Sequence, residues 1–184
     1  MSGCAANGVL VLAGCALTAQ GCTVAECGES GVAVGSGAAA TLSGCELRAN
    51  GGSAGAASVA IKPKGRAVLR ECRVLDGSGM GVSLGEGAEG ELERCALLRS
   101  GKAGLAARGA ARLLLSESEV ADGGAAGVMV LHGRGDAAAG AGAGCPGRAS
   151  CSAGRDSRAS PTLPCRGGLQ ARSGPSRGGA GFRR

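Results

Sequence analysis

The chain has 184 residues, 44% of them apolar, yet Phe182 is its only Phe, Trp or Tyr, so its composition excludes an irregular core built around aromatic rings. The net charge of +6 lies towards the C-terminus: residues 1–131 carry 11 Lys and Arg against 12 Asp and Glu (−1), whereas residues 132–184 carry 9 Arg against 2 Asp (+7). This distribution excludes a broad basic face for nucleic acid over residues 1–131, and 38 glycines without a Gly-X-Y period exclude collagen.

A 23-residue repeat is the strongest pattern in the chain. The motif Gly-Val-x-Val at residues 8–11 returns in variant forms that begin at positions 31, 58, 81, 104 and 127, so every step but the second is the same. A second motif, Leu-x-x-Cys-x-Leu, keeps the same steps. Its cysteine position is occupied in turn by Cys22, Cys45, Cys72, Cys95 and Ser118. The four extra residues of the long second step lie between Cys45 and Val59 and predict a bulging loop at residues 50–55.

The local pattern within each repeat is typical of short strands. Apolar residues alternate with polar or small ones, and turns that contain Gly separate the alternating stretches. A fixed period of about 20–25 residues built from short strands indicates a solenoid. The Asn-containing signature of leucine-rich repeats is missing. We therefore predict an all-β fold: a right-handed parallel β-helix solenoid of about five and a half coils, one for each repeat.

Stacked coils place equivalent residues in ladders, about 4.8 Å apart. The inward apolar ladders are predicted to be Val9/Val32/Val59/Val82/Leu105/Val128, Val11/Val34/Ile61/Leu84/Ala107/Val130, Ala19/Leu42/Leu69/Leu92/Leu115 and Val24/Leu47/Val74/Leu97/Val120. The cysteine position forms a fifth ladder. Outward positions beside it alternate in charge from coil to coil, which predicts structural ion pairs between coils. These positions are Glu71/Arg94/Glu117, Arg70/Glu93 and Glu46/Arg73.

The repeat is predicted to end at Leu131, which gives a β-helix domain at residues 1–131. Residues 132–184 are rich in Gly, Arg and Ala and hold four of the five prolines, which predicts a disordered tail. Its scattered arginines predict at most weak binding of nucleic acid. The break within a sixth coil suggests a fragment or a shifted reading frame. It also predicts an open coil end at residues 127–131 and self-association through such ends.

The cysteines predict reduced thiols rather than a disulfide scaffold. Those at one repeat position point the same way, which is a poor geometry for bridging, and Cys is readily buried as a small apolar residue. No Cys-x-x-Cys pair is present, so neither a metal site nor a cofactor is predicted. The apolar run at residues 9–12 fits the repeat, and no stretch is long enough to span a bilayer. We predict an intracellular, cytoplasmic protein without a signal peptide, a transmembrane segment or a membrane partner.

The two motifs, with their 23-residue spacing, resemble the parallel β-helix repeats of the pectin-lyase-like superfamily over about residues 4–131. This resemblance implies a β-helix, and many of that superfamily's enzymes cleave acidic polysaccharides with clustered Asp residues, assisted by Lys, Arg or calcium. Asp76, Arg99 and Asp122 share one turn position and are the candidate catalytic residues here. An exposed Asp–Arg–Asp ion-pair ladder is the competing interpretation and the one we favour. The hydrolase signatures of the superfamily are missing.

A second candidate site consists of Lys62, Lys64 and Arg66, next to the predicted loop. They could bind an acidic ligand, although a solvated turn explains them as well. We predict a non-catalytic scaffold or binding module with a protein or carbohydrate partner, rather than an enzyme. The alternative is a remnant of a polysaccharide lyase or glycoside hydrolase that acts on acidic polysaccharide.

Overall fold

The computed structural model of the chain describes residues 1–53 and 55–131, together with the backbone of two short strands at residues 136–139 and 152–153. The predicted disordered tail, residues 132–184, lies outside the described residues apart from those two strands. Its predicted weak affinity for nucleic acid therefore stays a prediction.

Short strands, three to a coil, make up the fold, and each coil turns through Gly-containing corners. The described residues contain these strands: β1 (Val9–Val11), β2 (Ala16–Gln20), β3 (Thr23–Ala25), β4 (Val32–Val34), β5 (Ala39–Ser43), β6 (Glu46–Arg48), β7 (Ala57–Ile61), β8 (Arg66–Arg70), β9 (Arg73–Leu75), β10 (Met80–Leu84), β11 (Glu89–Glu93), β12 (Ala96–Leu98), β13 (Leu105–Arg108), β14 (Arg112–Ser116), β15 (Glu119–Ala121), β16 (Val128–Leu131), β17 (Asp136–Ala139) and β18 (Ser152–Ala153).

Strands from successive coils stack into three parallel sheets. The first sheet has the order β1-β4-β7-β10-β13-β16-β18, the second β17-β14-β11-β8-β5-β2 and the third β15-β12-β9-β6-β3. A strand always pairs with its equivalent one coil away, because each coil returns to the same three directions. The predicted all-β parallel solenoid is confirmed.

The predicted register is also confirmed. Val32 pairs with both Val9 and Val59, and Leu69 pairs with both Leu42 and Leu92. Side chains at the centre of these ladders are at most 2% exposed. A slip of one residue would turn every one of them outward, so burial of this stripe determines the register.

A further inward ladder was not predicted. It runs along the second sheet through Leu17, Ala40, Ala67, Gly90 and Leu113. At Gly90 a larger residue would clash with the first sheet, because a Cβ atom there would lie 2.9 Å from Cδ2 of Leu84. Ala and Gly carry little hydrophobic signal, so the alternation that reveals a buried face is absent at these positions.

The long loop lies between β6 and β7, as predicted, and Asn50 at its start is fully buried. Asn50 Oδ1 accepts the Cys27 amide hydrogen over 3.1 Å, and Asn50 Nδ2 donates to the Val24 carbonyl oxygen over 2.9 Å. The side chain therefore ties the loop to the coil below and satisfies two buried backbone groups.

The predicted open edge at residues 127–131 has a neighbour on both sides. Strand β16 pairs with β13 below and with β18 above, where Met129 lies opposite Ser152. Strand β17 likewise extends the second sheet beyond β14. Backbone pairing thus continues past Leu131, and the predicted domain boundary at that residue stays a prediction.

Candidate functional site

Asp76, Arg99 and Asp122 occupy the corner that follows the third strand of three successive coils. Their φ angles are +54°, +54° and +55°, in the left-handed region, and Ala49 occupies the same corner at +52°. Asp tolerates this region better than most residues because its short side chain can bond locally. The requirements of the turn therefore place these side chains together.

Within this corner, Arg99 and Asp76 form a bidentate pair between coils. Arg99 Nε and Nη2 donate to the two carboxylate oxygens of Asp76, the second bond measuring 3.0 Å. Both side chains are about half exposed. In the described part of the chain, Asp122 makes no such ion pair. Hydrogen bonding to Asp76 is the main cause of the raised pKa of Arg99, and the attraction of Asp122 adds least to it.

The electrostatics of the corner are unsuited to acid catalysis. Hydrogen bonds from Arg99 lower the pKa of the Asp76 carboxyl group. A glycosidase general acid needs the opposite shift, because it must hold a proton near neutral pH. The corner can therefore stabilise the stack of coils or attract a charged partner. The Asp76 carboxyl group has no proton to donate near neutral pH, because its pKa is lowered.

The second candidate cluster divides between two environments. Lys62 and Lys64 are exposed in the turn between β7 and β8, and Lys64 adopts a φ of +59°. Arg66 instead begins β8 and lies 3.9 Å from Glu89 and 4.0 Å from Glu91. Among the described residues, the two lysines make no ion pair. The structure thus separates a solvated turn from an arginine that belongs to the face of the second sheet.

That face, which we call the outer face, consists of the outward side chains of β8, β11 and β14. They are Arg66, Val68, Arg70, Glu89, Glu91, Glu93, Arg112, Leu114 and Ser116. Ion pairs connect neighbouring coils here, the shortest between Arg70 Nε and Glu93 Oε2 at 3.0 Å. The predicted Arg70/Glu93 and Arg94/Glu71 pairs both form, the second also at 3.0 Å. The charge pattern thus predicted the Arg70/Glu93 pair on the outer face and the Arg94/Glu71 pair in the neighbouring corner, but it did not predict the outer face as a site.

A shallow groove of about 350 Å³ crosses the outer face. Arg66, Ala67, Glu89, Gly90, Glu91, Arg112, Leu113 and Leu114 line it. Leu114 is 45% exposed, and it is the one large apolar side chain so exposed on this face in the described residues. The exposure of one leucine on this face could have been predicted from the run Leu113-Leu114-Leu115, because successive side chains of a strand point to opposite faces.

The cysteine ladder is internal. Sγ atoms of Cys45, Cys72 and Cys95 donate to carbonyl oxygens of the preceding coil over 3.4–3.6 Å. Burial raises the pKa of the Cys45 thiol, and the hydrogen bond with Cys95, together with burial, raises that of Cys72. The thiols of Cys45 and Cys72 are thus kept protonated as small core residues, whereas the hydrogen bond with Cys72 lowers the pKa of Cys95. Within residues 1–53 and 55–131, no three His, Cys, Asp or Glu side chains are grouped to hold a metal ion.

Comparison with known proteins agrees with this architecture. No helix in the described part of the chain has the length and apolarity needed to cross a bilayer. Searches of curated proteins and of solved structures found no match. The family described as "Right handed beta helix region" matches residues 1–136, about three quarters of the chain. With this match and three parallel sheets in the expected register, the chain belongs to the right-handed β-helix family, in keeping with its resemblance to the pectin-lyase-like superfamily.

Proposed function

We propose that this β-helix is a non-catalytic binding module that takes a protein partner on its outer face. The observation that carries the proposal is the groove, in which the exposed Leu114 lies among Arg66, Arg112, Glu89 and Glu91. An apolar centre within a charged rim is the usual anatomy of a protein–protein interface. The parallel strands hold these side chains on a rigid surface, which limits the entropy lost on binding.

A protein fits this face better than a polysaccharide. Sugar-binding surfaces usually present Trp or Tyr for stacking, and the sequence contains neither. The charges on the face alternate, whereas an acidic polysaccharide would favour a face of uniform positive charge. Free thiols in the described residues suit a reducing compartment, so we place the module and its partner inside the cell.

The enzymatic alternative receives little support from the corner at Asp76. Its carboxylate is ionised and engaged by Arg99, and no second carboxylate contacts that pair in the described part of the chain. Incubation of the protein with calcium and polygalacturonate, followed by assay of new reducing and unsaturated ends, separates the two functions. Product that forms with the wild type and vanishes in Asp76→Ala would overturn the binding-module proposal.

The binding surface can be tested by placing a photo-reactive phenylalanine analogue at position 114 in cells of the native host. A protein that cross-links there is then purified and titrated against the wild type by calorimetry. We expect Leu114→Asp and Arg112→Glu each to weaken binding at least about tenfold, as loss of an interface anchor does. Leu12→Asp is the matched control, because Leu12 is also exposed, at 63%, but lies away from the outer face. Equal losses in the control and in Leu114→Asp would contradict the proposal.

A further inference from the structure

Two buried thiols in the middle of the solenoid have almost identical surroundings. The Cys72 thiol donates to the carbonyl oxygen two residues before it over 3.2 Å and to that of Leu42, in the preceding coil, over 3.4 Å. One coil further along, the Cys95 thiol makes the same two bonds over 3.3 Å and 3.4 Å, the second of them to Leu69. Both side chains therefore have the same orientation, and each is at most 2% exposed.

The turn at this position does not require sulfur. Ser118 holds the equivalent place in the next coil, and its hydroxyl group bonds the Ser116 carbonyl oxygen over 2.8 Å and the Leu92 carbonyl oxygen over 3.3 Å. These are the same two kinds of contact that the thiols make. Because an oxygen serves the backbone as well as a sulfur does, Cys72 and Cys95 place two soft ligands in the core beyond what the turn needs.

The distance between stacked thiols decides what they can form together. Equivalent atoms of neighbouring coils lie about 4.8 Å apart. A disulfide needs sulfur atoms about 2.05 Å apart and Cβ atoms about 3.5–4.5 Å apart, so it would pull the two coils together. A metal–thiolate bond measures about 2.3 Å, so two sulfurs on opposite sides of one metal ion lie about 4.6 Å apart. The spacing of the coils therefore suits a linear sulfur–metal–sulfur bridge better than a disulfide.

The number of ligands selects the metal ion. Zinc takes four ligands in a tetrahedron, and the part of the chain that the structure describes contains no group of three His, Cys, Asp or Glu side chains that could hold a metal ion. Thiolates are soft ligands and favour Cu(I), an ion that two thiolates can bind in a line. The free thiols in the described coils also suit reducing conditions, which keep copper monovalent.

We propose that Cys72 and Cys95 bind one Cu(I) ion between the third and fourth coils. This pair is selected from the cysteine ladder because the two thiols share a hydrogen bond. Each thiol loses its proton as its sulfur bonds the metal, so binding releases two protons and the copper stays monovalent. The complex then carries one net negative charge inside the core.

Backbone amides are in place to stabilise that charge. The Cys45 amide donates to the Cys72 sulfur, and the Cys72 amide donates to the Cys95 sulfur. Hydrogen bonds of this kind favour a thiolate over a thiol and offset part of the cost of burying an anion. Because both thiols are shielded from water, the ion enters only when the adjacent corner opens, so loading should be slow.

The full chain with its other cysteines replaced isolates the ladder. Serine replaces Cys4, Cys15, Cys22, Cys27, Cys145, Cys151 and Cys165, and Cys45, Cys72 and Cys95 remain. Cu(I) is equilibrated overnight without oxygen in competition with the chelator bicinchoninate, and circular dichroism checks the fold. We expect one Cu(I) per chain, with two sulfur neighbours at about 2.3 Å in X-ray absorption at the copper edge.

Cys45→Ser and Cys72→Ser are matched variants in this background, because each leaves two thiols. In Cys45→Ser the remaining thiols are neighbours. In Cys72→Ser they lie two coils apart, about 9.6 Å, which one ion cannot bridge. Cys72→Ser should weaken binding at least about a hundredfold and Cys45→Ser less than about threefold, since the loss of even a group that supports a ligand costs about 10–100-fold.

The same two substitutions in the otherwise unchanged chain provide the test if the seven-serine chain does not fold. There Cys72→Ser should lower the copper content by one ion, and Cys45→Ser should leave it unchanged. Equal effects of the two variants, absence of copper binding, or three sulfur neighbours would overturn the proposal. A disulfide between Cys72 and Cys95 after oxidation with diamide would also overturn it, because the distance argument would then be wrong.

Discussion

Arg99 reaches back one coil and holds both carboxylate oxygens of Asp76. The two residues lie 23 positions apart in sequence, one repeat, and both occupy the same left-handed corner. The geometry of the turn and the pairing between coils thus explain why Asp76 and Arg99 lie together, without a catalytic role. Their contribution should appear in stability rather than in turnover.

Asp76→Asn should lower the urea midpoint only slightly, because exposed ion pairs contribute little to stability. In an Arg99→Ala background the same change should have almost no effect, since the partner is already missing. The pKa of Asp76 is lowered in the folded state, so the contribution is present above the unfolded value, about 3.9, and is lost as the pH falls through the folded value. Asp122→Asn serves as the control, and strong coupling of Asp122 to Arg99 would contradict this account.

Asn50→Ala should cost about 2–3 kcal/mol of unfolding free energy, because it leaves the Cys27 amide and the Val24 carbonyl buried without partners. Asn7→Ala is the control. Asn7 makes a similar bond to the Ser30 amide over 3.1 Å, but it is only partly buried, so water can replace its side chain. Chemical denaturation at neutral pH measures both. Equal losses would show that burial is not the cause.

Ser58→Ala should raise the unfolding free energy by about 1 kcal/mol, because removal of an unsatisfied polar group is favourable. In the described residues the Ser58 hydroxyl group is buried without a hydrogen-bond partner. Ser118→Ala should have the opposite sign. That hydroxyl accepts from the Cys95 amide over 3.0 Å and bonds the Ser116 carbonyl over 2.8 Å. A destabilised Ser58→Ala, measured by the same denaturation, would refute the explanation.

Stability should decline at alkaline pH. The pKa of Cys45 is raised in the folded state by burial, so above about 8.5, where unfolded thiols ionise, the unfolded chain holds fewer protons at this residue than the folded one. Stability is full below that value and is lost as the pH rises. Urea unfolding at a series of pH values gives the slope, which should be shallower in a Cys45→Ser variant. An unchanged slope would exclude this thiol as its source.

The fold could be predicted in detail where identical environments recur. Val32, Val59 and Val82 are apolar because each is buried in the core of its coil, and their regular spacing in the sequence reveals the shared position. Asn50 could not be predicted, because its burial depends on the loop that folds it over Cys27 and because it occurs at its repeat position once. The groove was not predicted because the run Leu113-Leu114-Leu115 indicates that one leucine faces outward but not which side chains surround it.

The sequence by itself determined the coil length, the strand register and the inward ladders of this protein, because a periodic apolar stripe can be buried in one register only. It also determined which charges could meet, since ladder neighbours are one repeat apart. Only the tertiary structure decided which of them do meet, that Arg99 contacts Asp76 while Asp122 makes no ion pair in the described chain, and that Leu114 opens into a groove. Those outcomes depend on side-chain conformations and on the backbone angles of the turns. A repeat pattern gives the spacing of residues along the chain and contains no information about either.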